Sequence, residues 1–155
     1  MKYTGIVLAL MTLTLVSGCE KFRNKPVDMH NSPLVGHWFG ERQLQQRGHD
    51  IWDRLYVSIS SEGEVGYHYL SCERGDDNYK SEKNLNLEHM PITKLKQDEM
   101  VIQTYPLTPK FDLTLGDWPD KNDGVFVVDG LNLKATAPVD WSGWHCVWPS
   151  DQSAH

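Results

Sequence analysis

The sequence predicts an all-β protein: a single small antiparallel barrel or meander of about eight strands. Three observations carry this. Short runs alternate apolar and polar residues with period two. Clusters of Gly, Asp, Asn and Ser separate those runs at near-regular spacing. No segment carries an apolar stripe at the i, i+3, i+4, i+7 positions that a packed helix requires.

The first run is LVGHWFG, residues 34–40. The next segment, GERQLQQRGHD (40–50), has Leu44 as nearly its only apolar residue and reads as a long loop or short exposed turn. Leu55, Val57 and Ile59 then alternate with Tyr56, Ser58 and Ser60. SSEG (60–63) reads as a turn, after which Val65, Tyr67 and Tyr69 alternate with Gly66, His68 and Leu70. Together these predict a hairpin. Residues 84–88 alternate around Leu85 and Leu87. Residues 93–96 and 100–105 flank a Gln97-Asp98-Glu99 turn and predict a second hairpin. Phe111, Leu113 and Leu115 alternate with Asp112 and Thr114. Residues 125–128 and 131–135 flank Asp129-Gly130, the pair that a type I′ hairpin turn prefers.

The chain has 155 residues, enough for one domain. From Cys19 onward it carries 14 basic and 21 acidic side chains, a formal charge of −7. That balance argues against nucleic acid as a partner, because phosphates demand a basic face. It also argues against a basic patch for anionic lipid.

The first residues read as an export signal. Lys2 supplies a positive start, and Gly5 to Val16 is a 12-residue uncharged stretch. That length suits a signal-peptide core and falls short of the ~20 residues needed to span a bilayer. The stretch ends at Val16-Ser17-Gly18-Cys19, which resembles the lipobox of bacterial lipoproteins. The resemblance implies cleavage before Cys19 and acylation of its thiol and freed amine. Two or three acyl chains anchor firmly, each buried methylene contributing about 0.8 kcal/mol. Glu20, where Asp would favour inner-membrane retention, makes the chain similar to outer-membrane lipoproteins. The expected organisation is therefore a signal peptide over 1–18, a lipidated tether over 19–33 and one domain over 34–155. The expected location is the cell envelope, at the outer membrane, with the membrane as a partner through the lipid on Cys19.

The chain has three Cys. With Cys19 taken by lipid, Cys72 and Cys146 remain in an oxidising compartment. A Cys72–Cys146 bridge is the expectation, two separate buried thiols the alternative.

Gly36-His37-Trp38 resembles the G-x-W step that opens the first strand of lipocalin-like domains. PITKLKQDEMVIQTY, residues 91–105, looks like a hairpin common in small lipocalin-like bacterial lipoproteins. The resemblance implies a small barrel with Trp38 closing one end.

Candidate chemistry is sparse. WSGWHCVW (141–148) reads either as an aromatic binding wall or as a final strand whose Trp144 and Trp148 help fill the core beside a disulfide. Ser142 and His145 lack a nucleophile elbow. The seven His form neither H-x-H nor H-x-x-x-H; His37 and His68 could meet in space, although a lone His is more often structural. DWPDKNDG (117–124) misses the calcium-loop spacing, with Leu131 at position twelve where Glu is needed. Asp76-Asp77 reads as solvated loop. The sequence thus nominates no catalytic residue, no metal ligand and no cofactor. Three functions follow, in descending order. The first is a non-catalytic binding module for a small, lipidic or peptide ligand. The second is an inhibitor or immunity-type lipoprotein that blocks a toxin or wall-degrading enzyme by surface contact. The third is an enzyme.

Overall fold

Period-two patterning becomes eight antiparallel strands in a computed structural model of the chain, which describes residues 25–75, 79–103, 110–119 and 124–147. The signal segment, Cys19, the first part of the tether, Asp76-Asp77, Asp120 to Asp123 and Trp148 lie outside the described residues. The strands are β1 (Gly36–Gln46), β2 (His49–Ile59), β3 (Glu64–Gly75), β4 (Lys80–Leu95), β5 (Glu99–Gln103), β6 (Lys110–Thr114), β7 (Val125–Val128) and β8 (Leu131–Ala135). They form one sheet in the order β6-β5-β4-β3-β2-β1-β8-β7.

The sheet curls until its two edges touch. Leu115, just past β6, bridges Val128 of β7. Asp129 donates its amide to the Thr114 carbonyl at 2.8 Å, and Gly116 donates to Val127 at 2.9 Å. This closure occupies one end only. β8 pairs with β1 at Trp38 and Phe39, and β5 pairs with β4 between Ile92 and Leu95. The other halves of β1 to β4 project beyond these contacts as a four-stranded sheet. The result is a half-barrel, closed at one end and open at the other.

The segment expected to be a loop, 40–50, is instead the distal half of β1, a two-residue turn and the start of β2. Arg47 and Gly48 both adopt positive φ, 53° and 79°, as a type I′ turn requires. Asp129 and Gly130 do the same at 49° and 75°, which places the Asp-Gly turn where the sequence expects it. Inward positions there are taken by Arg42 and Asp53, which bond each other, so no apolar alternation marked these strand ends.

The barrel interior is filled. Trp38, Leu55, Val57, Ile59, Val65, Ile92, Met100, Ile102, Leu113, Phe126, Val128 and Leu133 form one buried cluster. Each such side chain contributes about 1.5–3 kcal/mol by leaving water. Trp38 packs edge-on against Phe126, with ring centroids 5.6 Å apart, and its indole N–H donates to the Leu34 carbonyl at 2.8 Å. Gly40 of β1 lies so close to the Asn132 carbonyl and Leu133 that any side chain there would collide with β8.

Part of the expected tether is packed. Val27 donates its amide to Ile92 and Met29 donates to Ser61, at 2.8 and 3.1 Å. Met29 is buried in the main core. This segment plugs the closed end, so the docked part of the chain begins at about Val27.

A polar network sits inward near the open end. Asp53 accepts from Arg42 Nε at 2.8 Å and from the Tyr69 hydroxyl at 2.9 Å. Tyr67 donates to Asp129 at 3.0 Å. Burial, with Asp129 beside it, pushes the Tyr67 hydroxyl far above its ordinary pKa.

Candidate outer-face site

Strand alternation puts a second set of residues on the outer face, and the ladder register arranges them in rows. Phe39 of β1, Tyr56 of β2, His68 of β3 and Asn86 of β4 form one row. Glu41, Arg54, Leu70 and Asn84 form the next. Gln43, Trp52, Cys72 and Glu82 follow, then Gln45, Asp50, Arg74 and Lys80 at the projecting end. Aromatic and aliphatic residues on an outward face need a cover, because such a patch is otherwise unfavourable in water.

The chain after β8 supplies the cover. Residues 136–147 run back over the outer face as an irregular strap, where a final strand over 141–148 was one of the two sequence readings. Thr136 donates to the His37 carbonyl at 2.9 Å. Trp141 stacks on His68 with centroids 3.8 Å apart. A turn follows, in which the Trp144 amide donates to the Trp141 carbonyl at 2.9 Å. Trp144 then meets Phe39 edge-on at 5.8 Å. The strap is fastened by a Cys72–Cys146 disulfide and by the Cys146 amide, which donates to Glu82 Oε2 at 3.0 Å. Leu70, Cys72 and Cys146 form a small core separate from the barrel interior, with Trp52 and Trp144 against it. Trp144 therefore packs beside the disulfide, on the outer face and not in the main core.

The strap leaves a cleft on each side. The larger, about 580 Å³, lies toward the projecting end and is lined by Gln43, Gln45, Asp50, Trp52, Arg74 and Val147, among others. The Arg54 guanidinium carbon sits 3.9 Å from the Trp52 ring centroid and 5.9 Å from that of Trp144. Beyond Trp52, Asp50 accepts from Gln45 at 3.4 Å and from Arg74 at 3.5 Å. These are long contacts at the outer limit of hydrogen bonding.

The smaller cleft, about 360 Å³, lies toward the closed end between Trp141, Val139, His37, Tyr56, His68, Glu64 and His89. His37 Nδ1 and the Tyr56 hydroxyl share a 2.7 Å hydrogen bond. Tyr56 stacks on both His37 and His68, at 6.0 and 5.8 Å. Burial pushes the His68 imidazole below its ordinary pKa, the Asn86 contact and the nearby Glu88 charge opposing. His68 is therefore neutral at pH 7.

His37 and His68 do come together, bridged by Tyr56. Ser142 and His145 do not form a pair: Ser142 donates its hydroxyl to Asp140 at 2.6 Å, and His145 shares a 2.7 Å contact with the Gly143 carbonyl. Among the described residues, no group of three or more His, Cys, Asp or Glu side chains is placed to hold a metal ion. Trp52, Gln43, Gln45, Asp50 and Arg74 were not singled out from the sequence. One signal was available: in IWDRLYVSI, residues 51–59, large aromatics occupy the positions between the inward aliphatics. A strand with apolar residues on both faces is covered on both faces.

Comparison with protein families, with curated proteins and with solved structures finds no match to this chain.

Proposed function

We propose that the protein is an acylated cell-envelope lipoprotein, anchored through Cys19, whose strapped outer face is a non-catalytic binding surface. The observation that carries the binding part is the division of labour between the two faces of the sheet. The inner face is filled by the main apolar cluster, while the clefts that flank the strap are lined mainly by outer-face residues. A small barrel is either filled or hollow, and a filled one leaves its outside for recognition. The larger cleft falls within the 300–1,000 Å³ range of ordinary ligand sites.

The geometry also supports the anchor. Six residue-to-residue steps lead from Cys19 to Lys25, a reach of at most about 22 Å. The docked N-terminal segment meets the closed end of the half-barrel, near Ser61 and Ile92. The larger cleft lies toward the opposite tips of β1 to β3. With an outer-membrane lipid on Cys19, the closed end faces the bilayer and the cleft faces away from it.

A second reading, inhibition of a toxin or wall-degrading enzyme, draws on the same filled interior and on the −7 charge, which would speed encounter with a basic partner. Site-specific photo-crosslinking in intact cells tests both. A photoreactive residue at Gln43, on the outer face, should yield an adduct. The same residue at Lys83, whose register partner Ser71 lies on the inner face, should not. A saccharide, lipid or peptide adduct supports the binding module, and one basic enzyme supports the inhibitor. Adducts from Lys83 alone would refute the outer-face reading.

A further inference from the structure

We propose that the larger outer-face cleft is a carbohydrate site, with Trp52 as the stacking platform and Gln43, Gln45, Asp50 and Arg74 as the hydroxyl-reading groups. This rests on the outer-face reading above and names the ligand class for it.

Carbohydrates pose a distinctive recognition problem. A pyranose ring has a flat face of C–H groups and an equator of hydroxyls. Proteins that bind such rings meet the C–H face with an aromatic ring, commonly Trp. They meet vicinal hydroxyls with planar side chains that donate and accept in pairs, namely Asp, Asn, Gln and Arg. The cleft holds both parts side by side. Trp52 lines it, whereas Arg54 does not. Arg54 lies 3.9 Å over the Trp52 ring and so occupies one face of the indole, and the ligand is assigned to the other. The ring is held in place by that guanidinium and by the Leu70, Cys72 and Cys146 cluster. A fixed platform loses little freedom when a ligand arrives.

The polar row is placed by register. Gln43 lies directly opposite Trp52, and Gln45, Asp50 and Arg74 occupy the adjoining row on the same face. All four have planar terminal groups. Their mutual contacts, 3.4 and 3.5 Å, are long enough to be exchanged for ligand hydroxyls without breaking a strong bond. The side chains of Asp50 and Arg74 are 61% and 40% exposed, so neither is committed to the interior. Among the residues that line the cleft, one carboxylate and one guanidinium balance, which suits a neutral glycan, while Lys80 ends the row beyond the lining. That balance suits neither an acidic polysaccharide nor a phosphate, both of which need a cationic excess. A peptide is the other occupant to weigh. Extended peptides are held through strand edges and alternate apolar pockets. This cleft lies across the face of β1 to β3 and sets one flat ring beside a polar row, with Leu44, Ile51, Cys72 and Val147 completing the lining.

The test uses the full lipidated chain in a detergent without a sugar headgroup. The probes are triacetylchitotriose, maltotriose, cellotriose and mannotriose. Binding is read by calorimetry and by the indole N–H resonance of Trp52. At least one probe should saturate one site and shift that resonance. Asp50→Ala and Arg74→Gln, both at exposed positions, should each weaken binding about tenfold or more. Trp52→Phe should retain part of the affinity, and Trp52→Ala should abolish it. The thermal midpoint of each variant shows whether it is folded. Saturation that persists unchanged in Asp50→Ala and Arg74→Gln overturns the site. No saturation by any of the four probes up to about 10 mM overturns the ligand class. If the probes fail while Gln43 still crosslinks in cells, the glycan assignment falls and the outer-face reading stands. If both fail, both fall.

Discussion

Asp53 and His68 are polar side chains that the fold buries, and each is accommodated differently. Asp53 takes Arg42 Nε and the Tyr69 hydroxyl as donors. His68 is shifted toward its neutral form by burial between the Tyr56 and Trp141 rings, with Asn86 at 3.4 Å. The consequence for stability has a definite sign. The folded pKa of His68 is below the value of 6.5 for an open chain. The unfolded chain therefore takes up the proton first, and the His68 contribution, intact above pH 6.5, is lost as pH falls through the folded pKa. His30 works in the opposite sense. Hydrogen bonding to Asp28 raises its pKa, so its contribution is present in acid and fades as pH rises through the folded value. His68→Phe keeps a ring in the stack and removes the titration. The thermal midpoint of the native chain should fall more steeply between pH 7 and pH 5 than that of His68→Phe. Parallel pH profiles would contradict the assignment. The Arg42–Asp53 pair also explains one gap in the sequence reading. Both residues face inward where apolar residues would have marked the period, so the distal half of β1 carried no strand signature.

Among the elements, the strap governs the outer face. Without it, Phe39, Trp52, Tyr56 and Leu70 would be an apolar strip in water. Its attachment is mainly the disulfide, which joins residues 74 positions apart. In the chain-entropy model a loop of that length restricts the unfolded state by about 4 kcal/mol. Replacing both cysteines by Ser should lower the unfolding free energy by roughly 2–4 kcal/mol, measured by denaturant titration without reductant. The Trp144 indole resonance should also move toward its unfolded position, because the strap then loses its covalent fastening and keeps only non-covalent contacts such as those to Phe39 and Glu82. A double variant with unchanged stability and an unchanged Trp144 environment would show that packing holds the strap without the bond. The hairpins were legible from the sequence because alternation and turn chemistry agree at 55–69, at 93–102 and at Asp129-Gly130. The strap was not. WSGWHCVW alternates enough to resemble a strand, yet Asp140 and Ser142 bend it, with the Ser142 amide donating to Asp140 at 3.0 Å. Local side-chain capping of this kind competes with strand pairing and leaves little trace in hydropathy.

At the scale of the whole molecule, the arrangement is polar from end to end. The closed end receives the N-terminal segment through Val27 and Met29. The projecting end carries the Arg47-Gly48 turn and the larger cleft. β1 alone, 11 residues at about 3.3 Å each, separates the two ends by roughly 35 Å. A protein tethered by its N-terminus would hold that cleft well clear of a membrane. The all-β class was readable from period two alone. Whether the interior is filled was not, because the same alternation serves a hollow barrel and a filled one. Only packing distinguishes them, and it turns on where Phe126, Met100 and Ile102 place their volume.

The proposal that this molecule works at an envelope membrane depends on Cys19, and intact mass with membrane fractionation tests it most directly. The native product should lack residues 1–18, carry the added mass of acyl chains and partition with membranes. Cys19→Ser should leave an unacylated chain that no longer partitions with them. Identical mass shift and identical partitioning for both proteins would contradict the account.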